Sequence, residues 1–332
     1  MSAPAAVEQA HEPVHTVKEA TSLAGRLTGF MPLIALVALV IALTIADPDF
    51  LTQRSLTAVS RTAAPLIVLA AGATLVVLCG GIDLSIAALA SLSTVFLALW
   101  LPDLGGLATP AVILVAATIG VVQGVAHVVL RIPSFIVTLG GMSILSAVAL
   151  VVSGAGTVRV VDDSSVKWLD LYVAGYVPMS FAVAVIVVAL IAVVLKVTPL
   201  HSWVSATGYS ESAARLAGTP VDLVKIGAFC VSGACAGLAA VMLVSRQFSG
   251  GPTMADNLLL PAVAAIVVGG TAITGGHGSV WRSLAGALVV TLLRVGLPIV
   301  GVPSAYEQIL YGAIIVTAVA LTLDRSRISI IK

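Results

Sequence analysis

What constrains this chain most is a succession of ten long apolar stretches, at about residues 30–46, 63–78, 84–101, 110–130, 132–152, 177–195, 226–245, 258–274, 283–300 and 305–323. About 20 apolar residues in a helix cross the hydrocarbon layer of a bilayer. The runs are continuously apolar, whereas the strands of a membrane barrel alternate in polarity, so helices are selected. A soluble body is excluded because its surface could not be built: 59% of the residues are hydrophobic and 9% charged, where a soluble domain has about 25% charged. The formal net charge of +1 leaves no basic face to neutralise nucleic-acid phosphates. The expected fold is all-α, a polytopic membrane protein with about ten transmembrane helices over 30–324, an N-terminal tail at 1–29 and a C-terminal tail at 325–332.

With ten spans, both termini and the connections after even-numbered spans share one side. That side holds ten basic residues, Lys18, Arg26, Arg131, Lys196, Arg215, Lys225, Arg282, Arg325, Arg327 and Lys332. The other side holds five, Arg54, Arg61, Arg159, Lys167 and Arg246. Positive charge collects on the cytoplasmic face, so both termini of this multi-pass membrane protein are expected in the cytoplasm. Glu8, Glu12 and Glu19 make the first tail unlike the cationic start of a signal peptide. Two connections are long: 153–176 outside, with Asp162, Asp163, Lys167 and Trp168, and 196–225 inside, which reads as a short amphipathic helix. Glycine pairs at 80–81, 140–141, 269–270 and 275–276 interrupt apolar territory. Broken backbone at membrane depth must be buried in protein or line a wet cavity, so these pairs point to a translocation path.

Little here suggests covalent chemistry. His11-Glu12-Pro13-Val14-His15 has the H-E-x-x-H spacing of a zinc site, but Pro13 opposes the helix that would bring both histidines to one face. No metal site is expected. Cys79, Cys230 and Cys235 lie in apolar runs and read as small buried hydrophobes. No lysine follows a glycine, so the phosphate-cradling G-x-x-x-x-G-K-[ST] loop is missing. Energy from ATP would have to enter through another chain.

Three features remain. Gly80-Gly81-Ile82-Asp83-Leu84-Ser85 sets a carboxylate between two apolar runs. Asp83 either lines a polar path, with Gly80, Gly81 and Ser85, or caps a helix beginning at Leu84. Arg294, inside the ninth stretch, faces a pathway or snorkels to the interface, with Glu307 or Gln308 as a partner. The segment at about 205–222 contains Ser210 as a helix N-cap, Glu211 in the first turn, a small surface of Ala213, Ala214, Leu216 and Ala217 beside Arg215, and Gly218 as a stop. A short helix of this kind, too weakly apolar to anchor in lipid, suits docking of a cytoplasmic partner.

These residues carry a resemblance. Asp47 to Thr52, Gly81 to Ser85 (G-I-D-L-S), Phe135 to Gly140 (F-I-V-T-L-G), Gly208 to Gly218, and Gly269 to Val280 occur in family order across about 45–325. Together they resemble the permease subunit of ribose-type ABC importers, a family that also serves galactose, xylose and related solutes. Ser210 stands where that family usually has asparagine, and Tyr209 where it commonly has a small residue.

The resemblance implies a type II importer-like fold with a cytoplasmic coupling helix, paired with a second, identical or different, permease subunit in the lipid bilayer. It also implies a cytoplasmic ABC ATPase that holds ATP and Mg²⁺ and docks on Glu211–Gly218, and a periplasmic sugar-binding protein that meets 153–176 and 246–257. The chain itself would hold no cofactor and catalyse no reaction. A polyol or branched-chain amino acid cargo is the nearby alternative. An ion-coupled secondary transporter is a further one, opposed by the scarcity of acidic residues other than Asp83 within the apolar runs.

Overall fold

The computed structural model describes residues 23–161 and 165–322. Its helices are α1 (Leu23–Ala46), α2 (Gln53–Leu78), α3 (Ile86–Leu104), α4 (Ala108–Val129), α5 (Ser134–Val152), α6 (Met179–Val197), α7 (Leu200–Tyr209), α8 (Glu211–Leu216), α9 (Val221–Gln247), α10 (Leu259–Val268), α11 (Val280–Ile299) and α12 (Glu307–Thr322). Four two-residue strands, β1 (Val158–Arg159), β2 (Tyr172–Val173), β3 (Val177–Pro178) and β4 (Ser249–Gly250), pair antiparallel as β1 with β4 and β2 with β3. The chain is therefore an all-α polytopic membrane protein.

Each of the ten apolar stretches corresponds to a helix, but the boundaries shift for identifiable reasons. Among the described residues, six helical runs are long and apolar enough to cross a membrane. One of them, Ile86–Val129, spans 44 residues. As a single straight helix it would be about 66 Å long, twice the hydrocarbon thickness. It is instead α3 and α4, which pack on each other across a turn at Gly105, φ +51°.

Helix α2 starts ten residues before the apolar stretch, because its polar first turns satisfy themselves: Ser60 Oγ donates to Leu56 O and Thr62 Oγ1 to Ala58 O, both at 2.8 Å. Helix α3 starts at Ile86 rather than Leu84, and α9 at Val221, taking in Asp222 and Lys225. The stretch expected to span 258–274 is a helix of only 10 residues, α10, or about 15 Å. It stops where Gly269 tucks under α11: a Cβ at Gly269 would lie 2.6 Å from Arg282 O. The 196–225 connection is two helices, α7 and α8, rather than one.

Helices α2 and α9 form the centre. Between Ala63 and Leu78, α2 is buried on every side, as expected of a helix apolar all round in a large bundle. Helices α4 and α9 approach backbone to backbone through Gly120 and Gly124 on one and Gly233 and Gly237 on the other. A Cβ on Gly120 would meet Phe229 O at 2.2 Å and one on Gly233 would meet Ala116 O at 2.3 Å. This is the small-xxx-small contact that packs membrane helices without a hydrophobic drive between them. By contrast, α5 and α6 turn apolar side chains such as Ile144 and Ile186 outward.

The connections gather at two ends. At one end, which also carries α7 and α8, Gly276 N donates to Leu78 O at 2.9 Å. At the opposite end β1 pairs β4, joining the 153–176 connection to the one after α9. There Arg61 also reaches Asp170 at 3.2 Å, and Gln53 Nε2 donates to Gly175 O at 3.1 Å. Lys18, Arg325, Arg327, Lys332, Asp162, Asp163 and the His11–His15 segment lie outside the described residues.

Candidate functional site

Four of the five resembling segments converge at the end that carries α8. The fulcrum is the stretch 79–85 between α2 and α3. Its backbone is held by the start of α5: Ile82 N donates to Ser134 Oγ at 2.9 Å, and Leu84 N to Thr138 Oγ1 at 3.1 Å. The F-I-V-T-L-G and G-I-D-L-S segments are therefore one structural unit.

Asp83 lies inside this unit, only 6% exposed. Its Oδ1 accepts from Ser85 N at 2.9 Å and from Ser85 Oγ at 2.7 Å, while Oδ2 accepts from Ser232 Oγ of α9 at 2.7 Å. Ser85 Oγ also stands 2.9 Å from Gln123 Oε1 of α4. A hydroxyl has one proton to give, so the chain Gln123–Ser85–Asp83 is complete when the Gln123 amide is turned to donate. One carboxylate thus ties the entry of α3 to α4 and α9. The helix N-cap is Ser85, and Asp83 makes the turn before it instead of capping at Leu84.

The cavity wall belongs to its neighbours. Gly80, Gly81 and Ile82 line a cavity of about 420 Å³ together with Ser134, Thr207 and Lys225. Asp83 and Ser85 stand behind that wall. An adjoining cavity of about 760 Å³ is bounded by His127, Arg131, Glu211 and Arg215. Arg294 is elsewhere. It lines a cavity of about 360 Å³ with Arg246, Thr62 and Asn257, and its Nε is 3.3 Å from Glu307 Oε2. Of the two partners named from sequence, Glu307 is engaged.

Beside the cavities of about 420 and 760 Å³ stands α8. Ser210 is its N-cap and accepts from Ala213 N at 3.4 Å, and Gly218, φ +80°, ends it. Ala214 is buried beneath, and Leu216 projects, 91% exposed. The charged residues face the start of α9: Arg215 pairs with Glu211 at 2.9 Å and with Asp222, and Lys225 Nζ meets Glu211 Oε2 at 2.5 Å. The Lys225 ammonium, with Arg215, holds the Glu211 carboxyl below the usual range, and Asp222 with Glu211 raises the Arg215 guanidinium above its own. Ser212 and Ala213 remain exposed around Leu216. Among the described residues no cluster of histidine, cysteine, aspartate or glutamate could hold a metal ion.

The sequence reading missed Ser134, Thr138, Gln123, Ser232 and Lys225 as members of the site. Gln123 carried a signal as an amide within an otherwise apolar stretch, while Thr138 lay within the F-I-V-T-L-G segment and Lys225 among the basic residues of the 196–225 connection. The serines and threonines are indistinguishable by pattern from those that bond their own helix.

Residues 55–319 match the family described as branched-chain amino acid transport system / permease component. The chain is 31% identical over 293 residues to the ribose import permease of Haemophilus influenzae, covering 86% of this chain and 90% of that one. It is 30% identical over 327 residues to the ribose import permease of Bacillus subtilis, covering 95% and 99%. The fructose import permease of Rhizobium meliloti is 32% identical over 302 residues, covering 88% and 84%.

Proposed function

This chain belongs to the branched-chain amino acid transport system / permease component family, and from that premise we propose that it forms the translocation path of an ABC importer for a monosaccharide of the ribose, galactose, xylose or fructose kind. The importer is driven by a separate ATPase, which binds ATP and Mg²⁺. The chain pairs with a second permease subunit in the inner membrane and receives its solute from a periplasmic binding protein. The relatives named above are ribose and fructose import permeases, which favours a sugar over a polyol or an amino acid.

The observation that carries this reading is α8. It is a capped helix with a nearly bare leucine, braced by Arg215, Glu211, Asp222 and Lys225, at the end of the bundle where the path-lining glycines gather. Leu216 inserts into the ATPase, and the charged residues keep α8 square to α9. That end faces the cytoplasm, as do both termini, and the β1–β4 end meets the binding protein. Gly80 and Gly81 form the wall of the path, Asp83 and Ser85 hold that wall in place, and Arg294 with Arg246 lines its outer mouth.

The test is uptake into proteoliposomes containing the chain with its ATPase and binding protein. Each of these sugars is compared with a polyol and a branched-chain amino acid. ATP-dependent accumulation of a sugar supports the reading. Accumulation by the chain alone, driven by an ion gradient, replaces it with a secondary transporter.

A further inference from the structure

At its last turn α7 passes through a contact with almost no side chain in it. A Cβ on Gly208 would lie 2.0 Å from Leu78 O and 2.3 Å from Gly276 N. Gly276 N itself donates to Leu78 O at 2.9 Å. A Cβ on Gly275 would lie 2.7 Å from both the Cα and N of Gly80. The end of α2, the end of α7 and the connection from α10 to α11 therefore touch backbone to backbone at one point. Gly80, Gly275 and Gly276 adopt φ of +78°, +88° and +78° there, a region that side chains other than glycine disfavour. The Tyr209 ring closes over Gly276, where an added Cβ would meet it at 2.8 Å, and its hydroxyl bonds His277 Nδ1.

This placement has a mechanical consequence. Three residues after Gly208, α8 begins. Three residues after Gly80 comes Asp83, which holds α3 to α9. Four residues after Gly276, α11 begins. Flexible side chains absorb displacement, whereas backbone in direct contact passes it on.

We propose that the Gly208–Gly80–Gly276 contact, covered by Tyr209, is the joint through which a displacement of α8 reaches the path wall and α11 together. Its residues thereby set how much solute moves per ATP hydrolysed. The inference rests on the transport reading above, and it deepens that reading by assigning positioning residues.

The experiment measures sugar uptake and ATP hydrolysis together in the reconstituted complex, using the sugar that the wild type carries. In Gly208→Ala the facing backbones must separate by on the order of 1 Å to reach ordinary contact. We expect the number of sugars moved per ATP to fall about tenfold while hydrolysis stays within about twofold of wild type. Gly227→Ala, where nothing lies within 4 Å of the added carbon, is the control and keeps the wild-type ratio.

If Gly208→Ala fails to reach the membrane, Tyr209 decides, since it is exposed and its replacement creates no clash. Tyr209→Phe keeps the ring and retains the wild-type ratio, whereas Tyr209→Ala lowers it by about fivefold or more. A wild-type ratio in Gly208→Ala, or in Tyr209→Ala where the first variant is not recovered, overturns the joint and leaves the transport function standing. Failure of the wild-type complex to couple uptake to ATP would instead sink the function itself.

Discussion

Replacing Asp83 separates two roles that the position could have, holding the path wall or offering a charge to the solute. Its carboxylate accepts three hydrogen bonds, from Ser85 N, Ser85 Oγ and Ser232 Oγ. In Asp83→Ala, Ser85 Oγ keeps Gln123, and Ser232 Oγ is free to turn to the carbonyl four residues earlier in α9. The Ser85 N–H is left without a partner in the interior, at about 1–3 kcal/mol. Release of a buried acidic group offsets part of this, which leaves a net loss of about 1 kcal/mol and a fall in Tm of a few degrees.

Asp83→Asn keeps an oxygen for Ser85 and presents an NH₂ that donates to Ser232 Oγ, so its cost is below about 1 kcal/mol. Thermal unfolding of the detergent-solubilised protein, read beside uptake at matched membrane abundance, distinguishes the cases. The expected result is that the asparagine variant stays near wild type in both assays and the alanine variant falls in both. An asparagine variant that folds normally but moves no solute would refute the reasoning, because it would show that the charge itself is used.

Other consequences follow from the same geometry. Leu216→Asp should abolish co-purification of the ATPase while the chain still inserts, since the residue touches nothing within its own fold to speak of at 91% exposure; undiminished co-purification would remove α8 from the docking surface. Glu211→Gln and Arg215→Ala should each weaken docking by loosening α8 from α9, and normal pull-down of both would count against the brace. Because the Glu211 carboxyl is held below its ordinary range, the brace persists at neutral pH and is lost only as acidification passes below about pH 4.3, the unperturbed glutamate value; ATPase binding that fades between pH 7 and 6 would have another cause. Gly233→Leu forces a side chain into a backbone contact and should cost at least the roughly 1–3 kcal/mol of an overpacked core, seen as loss of folded protein in gel filtration.

Much of the architecture was legible because bilayer spans are written in runs of apolar residues, and each run proved to be a helix. The misplaced boundaries share a cause. Polar residues such as Ser60, Thr62, Asp222 and Lys225 were read as connection, yet they extend α2 and α9 because their side chains bond within the fold. Helix α10 failed in the other direction, since apolarity continues through Ala272 and Ile273 after the backbone has left the helix at Gly269. In the site, α8 could be read residue by residue, because caps and stops are local chemistry. The Asp83 node could not, since Gln123 and Ser232 are brought to it by helix packing that no local pattern encodes. The glycine pairs were visible as breaks. Their meeting with Gly208 became visible only in three dimensions.

The most direct test of the account labels Leu216→Cys with a membrane-impermeant thiol reagent, in intact cells and in inverted vesicles, with and without the ATPase. Cys79 and Cys235 are buried, and the parent chain supplies the background for Cys230. The account predicts labelling in inverted vesicles alone and protection when the ATPase is bound. Labelling from outside the cell, or labelling that the ATPase leaves unchanged, would contradict it.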